Sequence, residues 1–247
     1  MDRLIYSSLA AMRGAMARQA TIANNLSNAN TTGFRSEMTH AQSLWISGSG
    51  FGSRATVTGE VSGADMGAGA VISTGRDLDV SMNNDALLAV QTGDGDEGYT
   101  RRGDLVVNDS GILTTGDGTP VIGEGGPITL PPADKVTIGQ DGTISIVPQG
   151  GDPKEPQQVA RLKLVSPAGS KISKGLDGLF RVNGGGTLPA DPDATLTGQS
   201  LEGSNVSASS ALVDMIEASR AWDGQVKMLT TAQDLDKSST ALMSMTE

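Results

Sequence analysis

The chain has 247 residues, room for one large domain or two small ones. Its 18 basic residues are outnumbered by 28 acidic ones, a formal net charge of −10, which argues against a surface built to coat nucleic-acid phosphates. It contains no cysteine, which excludes disulfides and thiolate chemistry. With 33 glycines and only 3% aromatic residues, the composition predicts many turns and thin packing rather than a deep globular core. No apolar run is long enough to span a membrane. The start, Met1-Asp2-Arg3-Leu4, is soon broken by small and polar residues, unlike a secretory signal peptide.

From Asp2 to about Asn28 the apolar positions recur with helical spacing. Ile5, Leu9, Met12 and Met16 step by four, three and four, and the rhythm continues through Gln19, Ala23 and Leu26. The stripe is narrow, and the alanines around it (Ala10, Ala11, Ala15, Ala17, Ala20) favour helix and permit close approach. The helix runs into Asn24, Asn25, Asn28 and Asn30, then Gly33-Phe34-Arg35. A helix terminus needs one or two such amides, with Gly33 supplying a positive φ. The surplus predicts that Asn24, Asn25 and Asn28 hydrogen-bond to the C-terminal helix or to adjacent subunits.

Residues 47–70 are dominated by Ser and Gly and read as a flexible or extended connector. From about Val71 the period shortens to two and turn signals recur. Strands are predicted at 86–91, 105–107, 112–114, 136–138, 143–147, 159–166 and 180–182. The stretches Asn108–Thr114 and Gly139–Ser145 read as two similar hairpin turns. A second loose stretch, rich in Gly and Pro, follows Asn183. Helical spacing then returns through Leu212, Met215, Ser219, Trp222, Val226, Leu229, Ala232, Leu235, Ser239 and Leu242, with Ser204, Asn205 and Ser207 as plausible N-caps. A helix of about 35 to 40 residues exceeds ordinary globular length and points to coiled-coil or quaternary packing.

Few residues suggest chemistry. The single histidine, His40, has no partners at ligand spacing and reads as solvated. Gly93-Asp94-Gly95-Asp96-Glu97-Gly98 formally matches a dinucleotide fingerprint, but a β-type sequence follows it where a helix N-terminus is required. It also lacks the ligand pattern of a calcium loop and reads as a hairpin turn. Arg101 and Arg102 read as a solvated strand end. No nucleophile elbow or phosphate loop is present. Neither a catalytic residue nor a cofactor site is expected.

Four segments in order resemble the axial proteins of the bacterial flagellum, the family of rod and hook subunits. They are Ala23–Arg35, "ANNLSNANTTGFR"; Thr74–Met82, "TGRDLDVSM"; Gly98–Leu105, "GYTRRGDL"; and Leu201–Trp222, with "LEGSNVS" and "LVDMIEASRAW". Ser27, Arg35 and Trp222 are mild departures from the family pattern, and Asp85-Ala86-Leu87-Leu88 replaces its Gly with paired Phe. Length and the "MDRLIY" start are closest to a proximal rod subunit, with a distal rod or hook-type subunit as the alternative. The resemblance implies an α+β fold, with long terminal helices packed as a coiled-coil-like inner domain and a central all-β domain. On this reading 1–35 holds the N-terminal helix and its Asn-rich motif. Residues 36–75 form a Gly/Ser-rich connector, 76–185 the β domain, 186–205 a return connector and 206–247 the C-terminal helix. The implied role is structural, not enzymatic: polymerisation into the hollow rod that crosses the periplasm. Its partners are copies of itself, other rod proteins and the flagellar type III export apparatus, with no cleaved signal peptide. Nucleic acid and a transmembrane segment are not expected. The assembly residues so implied are Ile5, Leu9, Met12, Met16, Asn24, Asn25, Leu26, Asn28, Gly33, Phe34, Leu212, Met215, Trp222, Val226, Leu229 and Leu235. A surface adhesin and an extracellular hydrolase on a β scaffold are the remote alternatives.

Overall fold

The computed structural model describes residues 2–45, 55–152 and 154–244. They fall into two compact units. One comprises Met1–Ser27, Glu37–Ser62 and Ser207–Glu247; the other comprises Asn28–Ser36 and Gly63–Val206. The Asn28–Ser36 stretch, which the sequence groups with the helix before it, thus clusters with the β-rich unit.

The helical unit is built on α1 (Asp2–Ser27) and α2 (Ala208–Ser244), which pack along each other. Ser207 caps α2: its carbonyl accepts the Ala211 N–H at 2.9 Å and its Oγ accepts the Ser210 N–H at 3.4 Å. Asn205, the rival cap, is used elsewhere. Strands β1 (Glu37–Trp45) and β2 (Ala55–Ala64) pair as a two-stranded sheet. Extended strand therefore occupies much of the segment read as connector. Its Thr and Val residues at 56–58 supply β propensity that the surrounding glycines mask. The side chains of His40 and Trp45 lie outside those described.

The second unit holds the remaining strands. In chain order they are β3 (Val71–Ser73), β4 (Val80–Met82), β5 (Leu87–Gln91), β6 (Glu97–Thr100), β7 (Leu105–Val107) and β8 (Leu113–Thr115). Then come β9 (Ile122–Gly123), β10 (Gly126–Pro127), β11 (Ala133–Ile138), β12 (Thr143–Pro148) and β13 (Gln157–Arg161). The last are β14 (Leu164–Val165), β15 (Ile172–Lys174), β16 (Phe180–Val182), β17 (Leu196–Gly198) and β18 (Ser200–Glu202). The largest sheet has the antiparallel order β14-β5-β6-β16-β15, and a second runs β11-β12-β13. The predicted strand at 159–166 divides because Leu162 and Lys163 turn away to bond the carbonyls of Gly142 and Ile122. The return stretch contains β17 and β18, which pair with β4 and β3.

Strand β5 explains the packing. Its run Leu87-Leu88-Ala89-Val90 is buried throughout, with Leu88 and Val90 in one apolar cluster and Leu87 and Ala89 in another. A strand covered on both faces reads as continuous apolar sequence rather than alternation. The first cluster also takes Val80, Leu105, Leu113, Ile144 and Leu164; the second takes Tyr99, Val165 and Phe180. The expectation of thin packing is corrected for this unit. Aliphatic side chains close the interior without many aromatics.

The turns behave as their sequences imply. Between β5 and β6 the Gly/Asp run is a hairpin closed by Thr92 N–H to Asp96 O at 2.8 Å, with Gly95 at φ +89°. Asn108 Oδ1 accepts the N–H groups of Ser110 and Ile112, and Asp141 Oδ1 accepts that of Thr143, so the two similar turns share one side-chain device.

Tyr99 is fully buried, its Oη accepting the Leu188 N–H at 2.5 Å. Burial pushes its phenol up from 10.0 to about 12. The folded state then holds a proton that the unfolded chain releases. Stability from this group is present below the free phenol value and is lost as pH climbs from about 10 to about 12. Urea melts across that window should show the fall, and Tyr99→Phe should flatten it.

Candidate functional site

Two features stand out: a buried ionic junction in the β-rich unit and two apolar faces on each long helix.

The junction centres on Glu202, whose side chain is fully buried at the end of β18. Its Oε1 accepts Arg35 Nη2 at 2.7 Å and the Gly69 N–H at 2.8 Å. Its Oε2 accepts Arg101 Nε at 2.8 Å and Nη2 at 2.5 Å. Arg101 also donates to the carbonyls of Met82, Asn84 and Ala86, at 2.8, 2.7 and 2.6 Å. Burial lowers the Arg101 pKa, and the Glu202 carboxylate acts against that shift. Arg101, read from sequence as a solvated strand end, is 2% exposed. Its neighbour Arg102 is held by Asp104 at 2.7 and 2.9 Å, which raises its pKa.

Backbone closes around the triad. The Gly33 N–H donates to the Glu202 carbonyl at 2.7 Å with φ +66°, and a Cβ there would lie 2.4 Å from the Arg101 backbone. Only glycine meets both demands. A Cβ on Gly69 would likewise lie 2.1 Å from the Gly203 carbonyl oxygen. Phe34 is half-buried, with Lys174 Nζ 3.6 Å from its ring centroid and donating to the Arg35 carbonyl at 3.0 Å. Asn205 ties its own segment to two others, 34–36 and 65–67. Its N–H donates to Phe34 O, its Oδ1 accepts the Ser36 N–H at 2.7 Å, and its Nδ2 donates to Asp65 O and Gly67 O.

Asn24, Asn25 and Asn28 make hydrogen bonds to residues nearby in the chain. Asn25 exchanges two hydrogen bonds with the Glu37 backbone, 2.9 Å to its carbonyl and 2.8 Å from its N–H. Asn24 Nδ2 reaches the Glu37 carboxylate at 2.9 Å, and Asn28 Oδ1 accepts the Thr31 hydroxyl at 3.1 Å. Asn25 therefore satisfies its amide on the start of β1, where the C-terminal helix or an adjacent subunit was expected. A planar amide with one donor and one acceptor matches the two groups a strand backbone presents.

On α2 the buried and half-buried positions among the described side chains are Ala211, Asp214, Met215, Ala218, Trp222, Gln225, Leu229, Ala232 and Ser239, and apart from Asp214 they step alternately by four and three up to Ala232. On α1 they include Ser8, Ala11, Met12, Ala15, Ile22, Asn25 and Leu26. Small residues recur in both, and a crevice is lined by Gly14, Ala15, Arg18, Glu217, Ala218 and Ala221. Of the assembly residues named from sequence, Met12, Leu26, Met215, Trp222 and Leu229 are half-buried. Leu9, Met16, Leu212, Val226 and Leu235 are exposed, and so are Val213, Ile216 and Met228. Gly33 and Phe34 belong to the junction, and the Ile5 side chain lies outside those described. The sequence stripe through Leu212, Ser219 and Val226 is one residue away from the seam used, which runs through Ala211, Ala218 and Gln225.

Three family models match the chain. They are "Flagella basal body rod protein" over residues 5–35, "Flagellar hook protein FlgE/F/G D1 domain" over 81–146, and "Flagellar basal body rod FlgEFG protein C-terminal" over 197–242. The flagellar basal-body rod protein FlgF of Salmonella typhimurium is 40% identical across 99% of this chain and 100% of its own length. FlgF of Escherichia coli is 41% identical over the same shares. The chain belongs to the flagellar basal-body rod protein family. FlgG of Bacillus subtilis is a more distant relative, 30% identical across 95% of this chain and 97% of its own. The family is structural, so the chain is a structural rod subunit and not an enzyme. No described helix is long and apolar enough to cross a membrane.

The triad takes one residue from each matched segment: Arg35, Arg101 and Glu202. Sequence reasoning missed this. The available signal was a charged residue in each of the three motifs, each within two residues of a glycine.

Removing the shared carboxylate strands two buried guanidinium groups. Glu202→Gln should lower stability by about 3 to 5 kcal/mol in urea melts. Among the described residues Arg35 Nε and Nη1 find no acceptor, so the triad is not an optimised stabiliser. Replacing all three members together (Arg35→Met, Arg101→Met, Glu202→Leu) should cost less than Glu202→Gln alone.

Proposed function

We propose that this rod subunit polymerises through α1 and α2, with one face of each helix serving the other and the opposite flanks serving neighbouring subunits. The supporting observation is the set of exposed large apolar side chains on both helices: Leu9 and Met16 on α1, and Leu212, Val213, Ile216, Val226, Met228 and Leu235 on α2. A lone subunit gains nothing from these in water. Burying a fully exposed side chain of this size contributes about 1.5 to 3 kcal/mol, and these partly covered ones contribute a fraction of that once a neighbour covers them. The alternating four-and-three seam of α2 is the spacing of coiled-coil-like packing, and its alanines permit close helix approach.

A rod requires contacts that repeat without closing into a dimer. Outward flanks on two long helices meet that need, with copies of this chain and other rod proteins as partners. Export through the flagellar type III apparatus delivers the subunit to the periplasmic part of the basal body. Ends that complete their burial only on incorporation keep the free subunit exportable. The higher identity to proteins named FlgF than to the FlgG relative favours the proximal rod over the distal rod.

The test separates the two faces. Leu212→Asp and Leu235→Asp should leave monomer helix content and melting unchanged, yet abolish swimming and rod recovery in a deletion strain. Ala218→Leu should instead disturb the helix pair itself, read as lost helicity. Normal swimming with both Asp variants would refute the outward-face reading. Because the chain has no cysteine, Leu212→Cys and Leu235→Cys offer unambiguous disulfide mapping of neighbours in assembled rods.

A further inference from the structure

Only one asparagine in the chain, Asn183, is followed by glycine. It is exposed at the end of β16, where its own N–H donates to Lys171 O at 2.8 Å. Among the described residues its carboxamide has no hydrogen-bond partner. The contrast with other asparagines is sharp. Asn25 is held on both sides by the Glu37 backbone, Asn108 by two backbone N–H groups, and Asn205 by partners on both amide atoms. Those amides cannot swing toward the following nitrogen without breaking bonds.

The residues after Asn183 remove the other obstacle. Gly184, Gly185 and Gly186 have φ of +93°, +85° and +99°, and a Cβ built on any of them would meet nothing within 4 Å. The Gly184 nitrogen is therefore flanked by no side chain and sits in open, glycine-only backbone.

We propose that Asn183–Gly184 is a site of spontaneous backbone modification. The deprotonated Gly184 nitrogen attacks Asn183 Cγ, forming the N–Cγ bond. The Cγ–Nδ2 bond breaks and ammonia leaves, giving a cyclic succinimide. Water then adds to either ring carbonyl and reopens it, leaving aspartate or isoaspartate at position 183. No oxidant, reductant or enzyme is involved. The product adds one negative charge to a chain already at −10. The isoaspartate branch also lengthens the backbone by one methylene where the β15–β16 ladder closes on Lys171, so the change is local to that hairpin end.

The purified full chain, aged at mildly alkaline pH without denaturant, tests this by peptide mass spectrometry. The tryptic fragment Val182–Arg220 carries both Asn183 and Asn205, and fragment ions separate them. The mass gain of amide-to-acid exchange is expected first at position 183, with ammonia release and labelling by an isoaspartyl methyltransferase. Asn183→Gln should lose that gain while melting like the parent, and Gly184→Val, strained at a φ of +93°, should lose it while melting somewhat lower. A gain arriving first at Asn205 or Asn108 overturns the proposal, as does modification of Gly184→Val at the parental rate. If Gly184→Val folds poorly, the parent and Asn183→Gln decide the matter alone.

Discussion

One carboxylate organises the β-rich unit. Glu202 receives four donors from three distant parts of the chain, and it does so away from water. A buried ion cluster of this kind contributes little net stability, because desolvation offsets most of the Coulomb gain. What it contributes is specificity. An Arg35 or Arg101 without Glu202 is a buried unpaired charge, so few alternative packings of these segments are tolerable. The glycines at 33 and 69 follow from the same constraint, since the backbone must come close enough for its N–H groups to reach Glu202.

The consequence reaches the chain entering and leaving this unit. Asn205 binds Phe34 and Ser36 on one side and Asp65 and Gly67 on the other. The segment that follows α1 and the segment that precedes α2 are therefore hydrogen-bonded to each other within one unit. For a subunit of a drive shaft, a junction of directional bonds resists sliding in a way apolar contacts do not.

The helical unit is governed by a different constraint, the division of a limited apolar surface between two uses. Ala211, Ala218 and Ala232 alternate along the seam with the larger Met215, Trp222 and Leu229, while Leu212, Ile216 and Leu235 stay outside.

Much of the architecture was legible in sequence. Helical spacing marked both terminal helices, and turn chemistry at Asn108 and Asp141 marked the hairpins, because these signals are local. The four motifs identified the family. Tertiary structure decided the rest. Periodicity could not choose between Leu212 and Ala211 for the seam, since one residue of rotation on a long helix is settled by what packs against it. Composition could not reveal that Arg35, Arg101 and Glu202 meet, since charge reads as solvated unless its partners, here 101 and 167 positions away, are already in place. The sequence by itself determined the elements and their order. Only the fold decided which charges are interior and which apolar faces are outward, because both depend on contacts between segments far apart in the chain.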